Sequence, residues 1–149
     1  MKNILILFVL LCSALTGNAL KPDTVYHWKP CIYGLMYKEF DFKTSDNYSL
    51  KAWFYPAQEA LPDDSVNYYY KKETEERPYE TDTLKKPTII ICNGDASNME
   101  QLLGFANEFC TSGFNVLTFD WRGFGESQQF PVDANYMVHD QFLTDYHAA

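Results

Sequence analysis

Residues 87–98 read Pro87-Thr88-Ile89-Ile90-Ile91-Cys92-Asn93-Gly94-Asp95-Ala96-Ser97-Asn98, PTIIICNGDASN. An unbroken β-branched run without polar alternation fits a strand covered on both faces, as in a parallel sheet. The polar, Gly-containing NGDASN predicts a loop. Downstream, Leu102, Ala106, Phe109 and Cys110 recur at helical spacing, with Leu103 and Phe105 beside the stripe and Gly113 as the stop. A second apolar run, NVLTFD (115–120), opens onto FDWRGFGES (119–127). Strand, loop, helix, strand and loop in that order predict an α/β fold with parallel β-α-β units and right-handed crossovers.

Working upstream, YKEFDFK (37–43) alternates, with Phe40 and Phe42 on one face and Glu39, Asp41 and Lys43 on the other. SLKAWFY (49–55) alternates again, with Leu50, Ala52 and Phe54 together. The turn composition Thr44-Ser45-Asp46-Asn47 between them predicts an N-terminal antiparallel hairpin with one buried face. Residues 57–86 are rich in Glu, Asp, Lys and Tyr and hold no sustained period, so they read as a polar insertion looping over the surface. Tyr68, Tyr69 and Tyr70 are its part best suited to pack back or touch a ligand. Downstream of FDWRGFGES, Val138, Phe142, Tyr146 and Ala149 return at helical spacing.

The first 19 residues have a different character. Lys2 precedes the apolar run Ile4 to Leu11, and Gly17-Asn18-Ala19 places small residues where a signal peptidase reads. This pattern predicts a signal peptide at 1–19, cleavage after Ala19, and a secreted or periplasmic product. The run is too short for a stable membrane span across about 30 Å of hydrocarbon. Lipid attachment at Cys12 is the third option, set back by bulky Leu11 just before it. The remaining 130 residues, 20–149, have the length of one domain.

Composition narrows the function classes. With 46% hydrophobic residues the chain is too apolar for a disordered segment, and a net charge of -8 argues against nonspecific nucleic-acid or anionic-membrane binding. The segment after Ala19 contains Cys31, Cys92 and Cys110, an odd number that speaks against a disulfide framework. Cys92, inside an apolar run, reads as a small buried hydrophobe. His27, His139 and His147 are too scattered for a metal set, and no cofactor motif is present.

FDWRGFGES could hold a phosphate, shape a rim or turn a corner. A dinucleotide fingerprint needs a third Gly where Gln128 stands, and a Walker loop needs a Lys-Ser or Lys-Thr that does not follow. A rim fits better. In open α/β sheets ligands sit beyond the carboxyl ends of the strands, and both NGDASN and FDWRGFGES leave such ends. Asn93-Gly94-Asp95 brings a backbone N–H there, with Gly permitting close approach.

IIICNGDASN and LTFDWRGFGES, about 30 residues apart with Gly113-Phe114 entering the second strand, resemble the α/β-hydrolases of the serine peptidase and esterase branch. The resemblance runs from Tyr37 to Ala149 and implies a partial α/β-hydrolase fold. It further implies that Asp95 supplies a backbone N–H to an oxyanion hole. Asn93, Gly94, Asp120, Arg122, Gly123, Gly125 and Ser127 would then form the supporting rim. A simple turn or cap role stays open for Asp95 and Ser127.

The family's triad runs Ser, acid, His, with Ser in GxSxG on a strand-to-helix elbow. No GxSxG occurs, and His139 and His147 precede the place of the elbow, so no catalytic triad residue is assigned. The expectation is the N-terminal part of a secreted serine hydrolase acting on a small ester or peptide substrate, inactive by itself. The alternative is a non-catalytic binding or interaction module built on the same fold.

Overall fold

A computed structural model describes residues 20–79, 85–133 and 139–149; the expected signal peptide and Val138 lie outside them. Among the described residues the strands are β1 (Lys21–Pro22), β2 (Lys38–Lys43), β3 (Ser49–Tyr55), β4 (Thr88–Cys92), β5 (Ala96–Ser97) and β6 (Asn115–Phe119). The helices are α1 (Asp63–Lys72), α2 (Leu103–Thr111) and α3 (His139–Ala148), with 3₁₀ turns at Pro30–Tyr33 and Met99–Leu102. The fold class is the mixed α/β arrangement expected from the sequence.

The main sheet has the order β2-β3-β6-β4. β2 and β3 pair antiparallel with Phe40 opposite Ala52 and Phe42 opposite Leu50, as the alternation requires. β3 pairs antiparallel with β6, and β4 pairs parallel with β6. β1 and β5 form a separate parallel pair. On one sheet face, Trp53, Tyr55 and Val116 pack against Met99, Leu102, Leu103, Ala106 and Cys110, the α2 side. On the other, Leu50, Ala52, Leu117 and Phe119 are buried among Phe40, Phe42, Phe54 and Trp121. The α2 stripe ends at Gly113, whose φ of 94° admits no ordinary side chain.

Four expectations are corrected. β6, not β4, is the strand covered throughout: all five β6 residues are buried, while Thr88 and Ile90 of β4 are exposed. The cause is position, because among the described residues β4 pairs with β6 alone and stands at the sheet edge. Within the insertion, α1 forms without a buried residue. Its ends suit a helix, since Asp63 and Asp64 occupy the first turn and Lys71 and Lys72 the last, each sign matched to the helix dipole, and its half-buried face carries Val66 and Tyr69. Phe105, beside the α2 stripe, is exposed, since the helix rests on one face only. In α3, Phe142 is buried but Tyr146 is exposed; Asp145 takes the buried position through its bonds to Arg122.

The tyrosine triplet divides its work. Tyr69 packs against Gly34, and Tyr70 stacks on Trp28 at 6.2 Å. Tyr68 donates to Glu75. Cys31, Cys92 and Cys110 are free thiols; the first and last are buried and Cys92 is half-buried.

Candidate functional site

β4 and β6 are in register with Cys92 beside Phe119, so both loops leave the sheet at one edge. In the first loop Asn93 is buried while Gly94 and Asp95 are exposed. Asn93 Nδ2 donates back to the Ala96 carbonyl at 3.2 Å. The Asn93 carbonyl accepts from Trp121 Nε1 at 2.9 Å, tying the first loop to the second. Among the described residues the Asp95 N–H has no partner, leaving a donor at the exposed tip. Asn98 closes the loop: its Oδ1 accepts from Glu100 N at 3.0 Å, capping the 3₁₀ turn, and its Nδ2 donates to the Val25 carbonyl.

The second loop is built inward. Asp120 is fully buried; one carboxylate oxygen accepts from Met99 N at 2.6 Å and the other from the Tyr26 hydroxyl. Burial pushes the Asp120 carboxyl up to about 7; the Tyr26 and Met99 bonds oppose the rise, and Glu126 and Glu100 add to it. Burial, then Asp120 itself, pushes the Tyr26 hydroxyl up strongly. Ser127 Oγ donates to the Asp120 carbonyl at 2.7 Å and accepts from Lys51 N at 2.9 Å, so both its roles serve the loop and β3.

Arg122 is 1% exposed and joins three separated segments. It bonds both Asp46 oxygens at 2.7 and 3.0 Å in the hairpin turn, and both its Nε and Nη2 reach Asp145 of α3 at 2.9 and 2.7 Å. Its guanidinium lies 4.2 Å from the Tyr48 ring centre. Burial works to lower the Arg122 pKa, but the two carboxylates hold it above its ordinary value. The same bonds lower Asp46 to about 2.

Glycine is obligatory at the tip of this loop. Gly125 has a φ of 47°, and a Cβ there would stand 1.8 Å from Asp120 Oδ2. Gly123, at a φ of 80°, faces Val132 and the Phe130 carbonyl.

A segment for which the sequence offered no signal completes the rim. Residues 20–28 form a strap across both loops. Lys21 N donates to the Asp95 carbonyl at 2.9 Å and Asp23 N to the Ser97 carbonyl at 3.0 Å. Gly125 N donates to the Asp23 carbonyl at 2.8 Å. Glu100 Oε2 accepts from His27 N and from Trp28 N. Leu20 is buried beside Phe124 and Phe142. Tyr26, Glu100, Trp121, Asp46 and Asp145 are thus site-shaping residues that spacing alone does not reveal. The cavity of about 550 Å³ beside Lys86 and Gly113 opens at the opposite ends of β4 and β6, away from the rim.

No family model matches the chain. Over 45 residues it is 51% identical to an uncharacterised 31.7 kDa protein of the traX-finO intergenic region of Escherichia coli, covering 30% of this chain and 16% of that one. Over 143 residues it is 25% identical to the uncharacterised protein YfhR of Escherichia coli K12, covering 94% of this chain and 43% of YfhR. In structure it is similar to the Pyrococcus furiosus esterase Pf2001, with a TM-score of 0.53 and 22% identity over 87% of this chain and 40% of the esterase. The hypothetical protein PA2218 from Pseudomonas aeruginosa gives the same TM-score of 0.53, over 87% of this chain and 34% of that one. The chain carries part of a hydrolase-like fold. It spans less than half the length of these relatives and solved structures.

Proposed function

We propose that this chain is the N-terminal part of a secreted serine hydrolase of the esterase or peptidase type, in which the Asp95 backbone N–H donates to the oxyanion of an acyl-transfer intermediate. The observation that carries this reading is the pairing of Cys92 with Phe119. It sets both loops at the carboxyl ends of parallel strands, and the first of them carries the exposed Asp95 N–H, which has no partner among the described residues. The esterase likeness of the fold supports the reaction class. The loop from Asp120 to Ser127 holds the rim and takes no chemical step. On this reading the nucleophile, acid and His are not among the residues of this chain, which by itself is expected not to turn over an ester.

Hydrolysis of p-nitrophenyl acetate tests the reading. The chain ending at Ala149 is expected to match the buffer blank. A version continuing through a GxSxG elbow is expected to be active, and Asp95→Pro, which removes the N–H, to lose about 10²-fold or more in kcat. Asp95→Asn keeps the N–H and is expected to keep activity. Turnover by the chain ending at Ala149, abolished by Ser97→Ala or Ser127→Ala, overturns the proposal.

A further inference from the structure

We infer that the strap, residues 20–28, is a positioning element that fixes the direction of the Asp95 N–H. This rests on the oxyanion reading of Asp95 above. The peptide groups flanking that N–H are held from two sides. The Asn93 carbonyl is held by Trp121 Nε1, and the Asp95 carbonyl by Lys21 N, both at 2.9 Å. Asp23 N holds the Ser97 carbonyl at 3.0 Å, where Ser97 sits at a φ of 64° that a free loop would leave. The Gly94-Asp95 tip itself is exposed and has no packing of its own: a Cβ on Gly94 would meet nothing within 4 Å. Its geometry is therefore set by the bonds on either side, and two of these three come from the strap.

The strap in turn is anchored away from the tip. Leu20 is 3% exposed in the cluster with Phe124 and Phe142. Tyr26 lies with its ring centre 4.8 Å from that of Trp53, and its hydroxyl bonds Asp120. A carbonyl clamp on one side and a half-buried aromatic anchor on the other make the strap a brace between the sheet and the candidate oxyanion donor. Cleavage after Ala19 leaves the brace whole, with Leu20 as its first residue.

Amide hydrogen exchange by mass spectrometry, on the chain ending at Ala149, tests this without requiring activity. Lys21→Pro deletes the N–H that holds the Asp95 carbonyl, and Lys21→Ala keeps it. With Lys21→Pro, residues 96–100 are expected to exchange on the order of tenfold faster while β6 keeps its protection. Lys21→Ala is expected to behave as the unaltered chain, which a role of the lysine side chain does not predict. Faster exchange in residues 20–28 with 96–100 unchanged overturns the inference. Where Lys21→Pro also strips protection from β6, Tyr26→Phe, which removes one oxygen, is read by the same criterion. In an active, longer version Lys21→Pro is expected to lower kcat on the order of tenfold with KM unchanged. If that version has no esterase activity, the function proposal fails and the exchange result still decides the brace.

Discussion

Two loops leave neighbouring strands at one sheet edge and are built on opposite plans. From Asp120 to Ser127 the polar side chains other than exposed Glu126 turn inward: Asp120, Arg122 and Ser127 are buried and bonded to the strap, the hairpin and α3. From Asn93 to Ser97 the loop rests on its carbonyls and leaves its tip exposed. A motif dense in Asp, Arg, Gly and Ser draws attention to the first of these loops. The geometry gives it the supporting part and leaves the presenting part to the plainer Gly94-Asp95. Residue types that do chemistry elsewhere are engaged in structural bonds here: Asp120 with Tyr26 and Met99, Arg122 with Asp46 and Asp145, and Ser127 with the Asp120 carbonyl and Lys51.

The contrast is broken most severely at Arg122. Arg122→Ala leaves Asp145, fully buried, without its cation, and is expected to cost about 3–5 kcal/mol in urea unfolding. A loss within 0.5 kcal/mol would mean that the second loop does not hold the rim together. Next comes Gly125→Ala, in which strained backbone and the collision with Asp120 together cost roughly 1–3 kcal/mol by the same measurement.

Asp120 sharpens the comparison through pH. Folding raises its pKa from 3.8 to about 7, so its contribution to stability is full below about pH 4 and is lost as pH rises through 7. Tyr26 of the strap, Tyr55 of β3, Glu100 of the 3₁₀ turn and Glu126 of its own loop all face it, and no cation answers it among the groups that shift it. Asp46 runs the other way: lowered to about 2, it contributes above pH 4 and is lost toward pH 2. Tm measured from pH 4 to 8 is expected to fall less steeply in Asp120→Asn than in the unaltered chain. Identical slopes would place the Asp120 titration outside this range. The smallest effect is expected in the first loop, where Gly94→Ala meets nothing within 4 Å and should change stability by less than about 0.5 kcal/mol.

Much of the fold is legible because it is periodic. Alternation in 38–43 and 49–55 marks the hairpin, and the apolar runs at 88–92 and 115–119 mark the parallel strands. The expected single buried face is corrected in β3, where Trp53 and Tyr55 are buried on one side and Leu50 and Ala52 on the other because both sheet faces are covered. What is not legible depends on partners far along the chain. Thr88 to Cys92 carries the composition of a central strand, yet among the described residues it stands at the edge, a place decided by which strands flank it. α1 leaves only a weak periodic signal because the face it packs is short and half-buried, with Val66 and Tyr69 one turn apart and Tyr69 against Gly34. The strap has no period at all; its meaning lies in single backbone bonds to residues 95, 97 and 125. The Arg122 pairs with Asp46 and Asp145 span 76 and 23 residues, distances over which no local pattern speaks.

The strap also dictates an order of events in time. It is the earliest described segment to be synthesised, yet its contacts wait for residues made much later: Val25 reaches Asn98 across 73 positions, and Tyr26 reaches Glu126 across 100. Closing loops of that size is slow, and contacts of such separation are rewarded only after the chain between them is arranged. The hairpin of β2 and β3 forms from neighbours and needs no such wait. The rim is therefore expected to mature after the hairpin. In stopped-flow refolding, protection of residues 20–28 is expected to lag behind that of residues 38–55, and simultaneous protection of both would place the strap in the folding nucleus instead.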